Sequence, residues 1–66
     1  MTDFERAEKK ILAAASMKEV KSSGEVLRLA ESARPAVSPN VLRVAYWTLV
    51  NEGRLERTTK GVRKTR

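Results

Sequence analysis

Cysteine and histidine are both absent from this chain of 66 residues. Their absence removes disulfide bonds, an imidazole base, and the thiolate and imidazole ligands of most zinc sites. A chain this short buries only about 60% of its unfolded surface on folding, which leaves little room for an enclosed catalytic cleft. We therefore expect a single domain over residues 1–66 that is not an enzyme and that binds no metal, cofactor or small-molecule ligand.

Long apolar runs are also missing. The longest covers residues 11–15, whereas a helix needs about 20 apolar residues to span a bilayer. Residues 1–6 are polar and mixed in charge, unlike a secretory signal peptide. The sequence therefore predicts a cytoplasmic, intracellular protein with no membrane partner, associated with the nucleoid if it binds DNA.

Charge is distributed unevenly along the chain. The formal net charge is +6, but residues 1–33 carry six acids and six bases, whereas residues 34–66 carry eight bases and two acids. All of the excess positive charge therefore lies in the second half. Such an asymmetry favours an anionic partner, with nucleic acid first and a membrane surface second.

Two helices are predicted from a recurring capping pattern, in which a hydroxyl side chain precedes a glutamate by three residues. The first helix is expected over about residues 3–16 and the second over about residues 23–33. The second should end before proline, because the residue preceding a proline is pushed out of the helical region. The capping pairs are Thr2 with Glu5 and Ser22 with Glu25, and the stop signal of the second helix is Arg34 with Pro35.

Ser38 and Pro39 predict the start of a third helix, with serine as the cap and proline in the first turn. This helix is expected over about residues 39–52, and Gly53 is placed to adopt the left-handed conformation after its end.

Two β-compatible stretches around a turn at residues 59–61 then predict a basic hairpin over about residues 54–65. Leu55 and Val62 flank the turn and could fix the hairpin to the core, with Lys60 and Gly61 at its tip. Residues 18–21 could add a short edge strand. The predicted fold class is mainly α with a small β-hairpin (α+β).

Three stretches of the chain resemble the winged helix-turn-helix superfamily of DNA-binding proteins. They are EVLRLAE at residues 25–31, AVSPNVLR at residues 36–43 and LVNEGRLER at residues 49–57. Small bacterial and phage regulators look similar across the second and third helices. The resemblance implies that the third helix enters the major groove while the hairpin, or wing, touches the adjacent backbone or minor groove. The turn at residues 32–37 is about two residues longer than the usual tight form, so no subfamily is assigned.

The third helix has two chemically different faces at 100° per residue. The apolar face carries Leu42, Ala45, Tyr46 and Leu49, which predicts that it packs in the core. Arginine can bridge guanine, asparagine can bridge adenine, and valine can pack on a thymine methyl group. The opposite face therefore supplies the candidate base contacts, although ordinary solvent exposure would explain the same residues. They are Asn40, Arg43, Val44 and Trp47.

Trp47 has three possible placements on the sequence alone. It could lie against a sugar-phosphate edge, or it could anchor a protein interface with a partner or a second copy of the chain, since tryptophan is frequent at energetic hot spots. It could also cover the base of the hairpin.

The hairpin supplies most of the candidate contacts to the DNA backbone. Basic side chains of this kind give affinity and register, and their binding weakens steeply with salt. A solvated or frayed basic tail is the alternative interpretation. The candidates are Ser38, Arg54, Arg57, Lys60, Arg63 and Lys64.

Three functions are consistent with these patterns. The first is a small transcriptional regulator that binds double-stranded DNA. The second is a winged-helix protein-interaction module that uses a surface of Val41, Val44 and Trp47. The third is a non-specific architectural DNA binder in which the wing dominates.

Overall fold

A computed structural model describes residues 2–33 and 36–65. The order of elements is α1 (Asp3–Ala14), α2 (Ser23–Ser32), α3 (Pro39–Asn51), β1 (Leu55–Thr58) and β2 (Gly61–Lys64). The predicted α+β class, with three helices followed by a two-stranded antiparallel hairpin, is confirmed. The predicted stop signal at Arg34 and Pro35 lies outside the described residues.

α1 begins with the predicted capping box. The Thr2 hydroxyl accepts the backbone N–H of Glu5 at 3.2 Å, and the Glu5 carboxylate accepts the backbone N–H of Thr2 at 3.1 Å. The predicted end at residue 16 is wrong, because the backbone is already extended at Ala15. The Ser16 hydroxyl accepts the backbone N–H groups of Lys18 and Glu19, which stabilises a turn in place of another helical residue.

α2 and α3 begin where the sequence predicts, but the two serine caps differ. The Ser22 hydroxyl accepts the backbone N–H of Glu25 at 3.1 Å. Ser38 occupies the equivalent position before α3, yet its side chain makes no capping hydrogen bond. The predicted hydroxyl cap is therefore wrong at Ser38. Pro39 begins the helix with its fixed φ and its lack of an N–H that would need a partner.

The end of α3 is a Schellman motif around Gly53. Gly53 has φ +77°, its N–H donates to the carbonyl of Val50 at 3.1 Å, and the N–H of Arg54 donates to the carbonyl of Leu49 at 2.9 Å. The predicted left-handed glycine is confirmed. α2 and α3 each end one residue before the predicted boundary, and the Schellman motif turns the chain back so that β1 packs against α3.

The hairpin has a shorter turn than the sequence predicts. Thr58 pairs with Gly61 and Arg57 with Val62, so the turn consists of residues 59–60 and Gly61 belongs to β2. Lys60 is at the tip as predicted, whereas the placement of Gly61 there is wrong. The predicted anchoring of the hairpin by Leu55 and Val62 is confirmed, since both are buried.

The outer edge of β2 is covered by the segment between α1 and α2. Lys21 and Val62 exchange both backbone hydrogen bonds, and the N–H of Lys64 donates to the carbonyl of Ser16 at 2.9 Å. The edge strand expected at residues 18–21 is therefore reduced to one isolated bridge at Lys21. Backbone groups that would otherwise be open on this edge are satisfied.

The core lies between the helices and the inner face of the hairpin. The predicted apolar face of α3 is confirmed, with Leu42, Ala45, Tyr46 and Leu49 all buried. The Tyr46 hydroxyl lies 2.8 Å from the hydroxyl of Ser23 at the start of α2, so its polar end is satisfied. None of the helices within residues 2–33 and 36–65 has the length and apolar character to cross a membrane.

Candidate nucleic-acid interface

The outer face of α3 is open along its whole length. Asn40, Arg43, Val44 and Trp47 are all exposed, as the helical periodicity predicts. Val44 and Trp47 are apolar residues with 58% and 44% of their surface accessible. Val44 and Trp47 are one turn apart on the same helix face with polar residues beside them, which is the arrangement of a small candidate binding patch.

Trp47 connects this face to the hairpin. Its ring packs edge-on against Tyr46, with 5.3 Å between ring centroids and an interplanar angle of 82°. The guanidinium carbon of Arg57, on β1, lies 4.7 Å from the Trp47 ring centroid. Of the three placements open to Trp47 on sequence grounds, contact with the hairpin is therefore present, while the exposed part of the ring remains accessible.

The two faces of the hairpin carry different charges. Residues paired across antiparallel strands lie on the same face, so Arg57 shares the face of buried Val62, whereas Arg63 shares the opposite face with Glu56. The Arg63 Nε donates to the Glu56 carboxylate at 2.8 Å. Arg57 is thus next to α3, and Arg63 is on the other side of the hairpin in an exposed ion pair.

The predicted backbone-contact residues are therefore not all on one surface. Arg63 and Lys64 are on β2, where they line a shallow groove with Met17 and Glu56. Lys64 pairs with Leu55, so its side chain lies on the same face of the hairpin as Arg57, whereas Arg63 lies on the opposite face. The two-residue turn sets this arrangement, because it fixes which side chains share a face.

Arg54 immediately precedes β1 and Lys60 lies in the turn that follows it, and both are exposed. The base of the hairpin is closed by Thr65, whose N–H donates to the Arg54 carbonyl at 3.1 Å and whose hydroxyl donates to the Gly53 carbonyl at 2.7 Å. The N–H of Lys60 donates to the Thr58 hydroxyl at 3.2 Å. These three bonds hold the backbone that presents the two basic side chains.

Two acidic neighbours of the candidate residues could not be predicted from the sequence. Arg43 lines a crevice of about 90 Å³ with Glu31 and Leu27 of α2, which places an acidic side chain near the start of the exposed face. Glu56 is the partner of Arg63. The pairing of Glu56 with Arg63 could have been predicted only from a hairpin register with a two-residue turn.

No group of three acidic side chains that could hold a metal ion is present in the described part of the chain. Comparison with protein-family models, curated proteins and solved structures finds no match.

Proposed function

We propose that this protein binds double-stranded DNA in the manner of a winged helix-turn-helix protein. In this proposal α3 enters the major groove with its outer face, and the hairpin follows the adjacent backbone or minor groove. A role as a small transcriptional regulator, acting in the cytoplasm at the nucleoid, is the function that this surface fits best.

The Arg57–Trp47 contact is the observation that carries the proposal. A cation over an indole ring is attracted by the ring's negative face, and arginine also stacks there through its planar guanidinium. The contact holds a positive charge at the junction of α3 and β1, on a strand that Arg54 precedes and Lys60 follows in the sequence. A phosphate backbone that passes along this junction would meet a positive charge that is already held in place.

Base reading is assigned to the first turns of α3, as expected for a recognition helix. Asn40 and Arg43 have the donors that read adenine and guanine in the major groove, and Val44 can contact a thymine methyl group. A specific reader should lose about 1–3 kcal/mol at one base position when Arg43 is replaced by alanine. An architectural binder should instead lose affinity equally for all sequences.

The test is binding to a mixed-sequence duplex of about three helical turns, followed by duplex anisotropy and by the fluorescence of Trp47, the single tryptophan. Binding should weaken steeply with salt, with a log–log slope of about −0.9 for each phosphate neutralised. The Trp47 signal should change on binding, since its ring lies within the proposed interface.

Two arginines of the hairpin provide a matched pair of variants. Arg57→Gln and Arg63→Gln remove the same charge from opposite faces of the same element. We expect Arg57→Gln to weaken binding about tenfold and to reduce the salt slope by about one, and Arg63→Gln to have a much smaller effect. Equal losses in the two variants, or no binding of the wild type at low salt, would overturn the proposal.

A protein partner is the second candidate, favoured by the exposure of Val44 and Trp47 on one helix face. Val41, the third residue of the expected apolar patch, is half-buried and contributes less surface. If this face binds protein, Trp47→Ala should abolish the complex, whereas Arg57→Gln should have little effect. Self-association through the same face would appear as a dimer that Trp47→Ala dissociates.

A further inference from the structure

A groove of about 470 Å³ lies between α1 and α2, away from the proposed DNA surface. Leu27 lines the crevice next to α3, and Leu29, two positions later, is turned by 200° around the helix axis. Leu29 lines the groove between α1 and α2 instead. A ligand in this groove would therefore leave the outer face of α3 free.

The floor of the groove is apolar and shallow. It is formed by Ala13 and Ala14 of α1, by Ala33 after the end of α2, and by Leu29. Leu29 has 43% of its surface exposed, although it is a large apolar residue in a small domain. Three alanines beside one leucine leave room for another helix to approach closely along the floor.

The rim of the groove carries three lysines, and two of them are held in place. The Lys10 ammonium donates to the carbonyl of Ala33 at 2.7 Å, and the Lys21 ammonium donates to the carbonyl of Ala14 at 3.1 Å. These carbonyls lie at the carboxyl ends of α2 and α1, where a positive charge is favourable.

An ammonium group has three donors, so each fixed lysine keeps further donors for a ligand. Lys9 adds a third, exposed positive charge. Within the described residues, no carboxylate lines the groove. The site therefore combines an apolar floor with a positively charged rim. Two of the three lysines on the rim are already held in place by hydrogen bonds.

We propose that this groove docks an acidic amphipathic helix of a partner protein. The apolar stripe of such a helix would cover Leu29 and the alanines, and carboxylates flanking the stripe would pair with the three lysines. The charge of the rim selects an acidic segment over a basic one. The inference does not depend on DNA binding, because the groove and the α3 surface share no residue.

The test uses a fluorescein-labelled peptide of about 18 residues, with leucines at i, i+3, i+4 and i+7 and with glutamates on both sides of this stripe. The comparison peptide has the same composition in a scrambled order, and therefore the same charge without an apolar stripe. Fluorescence anisotropy should show the amphipathic peptide binding at least tenfold more tightly than the scrambled one.

Matched variants separate the groove from general attraction to a basic protein. Leu29→Glu places a charge on the floor, whereas Val20→Glu makes the same change at an exposed apolar residue outside the groove. Lys9→Glu and Lys18→Glu form an equivalent pair for the rim. We expect a loss of tenfold or more for Leu29→Glu, a severalfold loss for Lys9→Glu, and changes within twofold for both controls.

Five outcomes would overturn the proposal. The first three are absence of binding, equal binding of the scrambled peptide, and equal losses in the groove and control variants. The fourth is a concentration-dependent dimer that Leu29→Glu dissociates, which would identify a second copy of the chain as the occupant. The fifth is a loss of duplex binding in Lys9→Glu or Leu29→Glu, but not in Lys18→Glu or Val20→Glu, which would assign the groove to nucleic acid instead. Circular dichroism and thermal melting of each variant verify that a lost signal is not lost folding.

Discussion

Gly61 is the residue whose identity the hairpin constrains most closely. Its φ is +149°, and a Cβ at this position would collide with the backbone carbonyl of Lys21. The close approach is part of the same contact in which Lys21 and Val62 exchange backbone hydrogen bonds. Glycine therefore allows the segment before α2 to cover the edge of β2.

Replacing this glycine should be costly. We expect Gly61→Ala to lower the free energy of unfolding by about 2 kcal/mol or more, because the clash is with backbone and the conformation is strained for an L-residue. Gly24→Ala is the control, since Gly24 lies in the first turn of α2 with open space around it. That change should stabilise by less than about 1 kcal/mol. Urea unfolding measures both, and similar values for the two variants would contradict this account of Gly61.

Tyr46 illustrates how the polar end of a buried side chain connects two helices. Its hydroxyl meets the Ser23 hydroxyl at 2.8 Å while the ring is buried against the core. We expect Tyr46→Phe to lower the free energy of unfolding by about 1 kcal/mol. A double-mutant cycle with Ser23→Ala should give a coupling energy of about 0.5–1.5 kcal/mol. Strictly additive effects would show that the hydroxyl pair contributes no stability.

At the scale of elements, the start of α1 couples folding to pH. The Glu5 carboxylate accepts hydrogen bonds from the backbone N–H and the hydroxyl of Thr2, and these bonds lower the pKa of Glu5 from its usual value of 4.5. Lys9, one turn later, lowers it slightly further. Since the folded-state pKa is below the unfolded one, this stabilisation is complete above about pH 4.5 and is lost as the pH falls through the lowered value.

Glu5→Gln removes this titration but keeps an amide that can complete the capping box. We expect the wild type to lose more stability than Glu5→Gln between about pH 6 and about pH 3, because only the wild type protonates this group. Urea unfolding at several pH values gives the two curves. Parallel curves would show that Glu5 has the same pKa in the folded and unfolded chains.

The beginnings of the helices could be predicted from the sequence because their signals are local. Thr2 with Glu5, Ser22 and Pro39 each act within one turn of their helix. The end of α1 and the turn of the hairpin could not, since both depend on the segment between α1 and α2. The carbonyl of Ser16 accepts the N–H of Lys64, and Lys21 pairs with Val62, so both contacts join parts of the chain that are distant in sequence.

The candidate site was predictable to a similar extent. The exposed face of α3 follows from helical periodicity alone, which correctly separates Arg43 and Trp47 from the core. The division of the hairpin into an Arg57 face and an Arg63 face follows from a register that a one-residue change in the turn reverses. Composition showed that the hairpin is basic, but only the strand pairing shows which cations lie beside α3.

At the scale of the whole molecule, basic side chains lie on two separate surfaces. The exposed face of α3 with Arg57 forms one, and the lysine-rimmed groove between α1 and α2 forms the other. Residues 1–33 are neutral overall, yet folding brings Lys9, Lys10 and Lys21 together. A neutral segment thus presents a basic site, which net charge alone does not reveal.

The central claim is that the outer face of α3 and the Arg57 side of the hairpin form one DNA-binding surface. The most direct test is to map amide chemical-shift changes by NMR while the protein is titrated with duplex DNA. We expect the largest changes at Asn40, Arg43, Val44, Trp47 and Arg57, with little change at Lys9 and Leu29. Changes centred on Arg63 or on the α1–α2 groove, or the absence of changes along α3, would contradict the account.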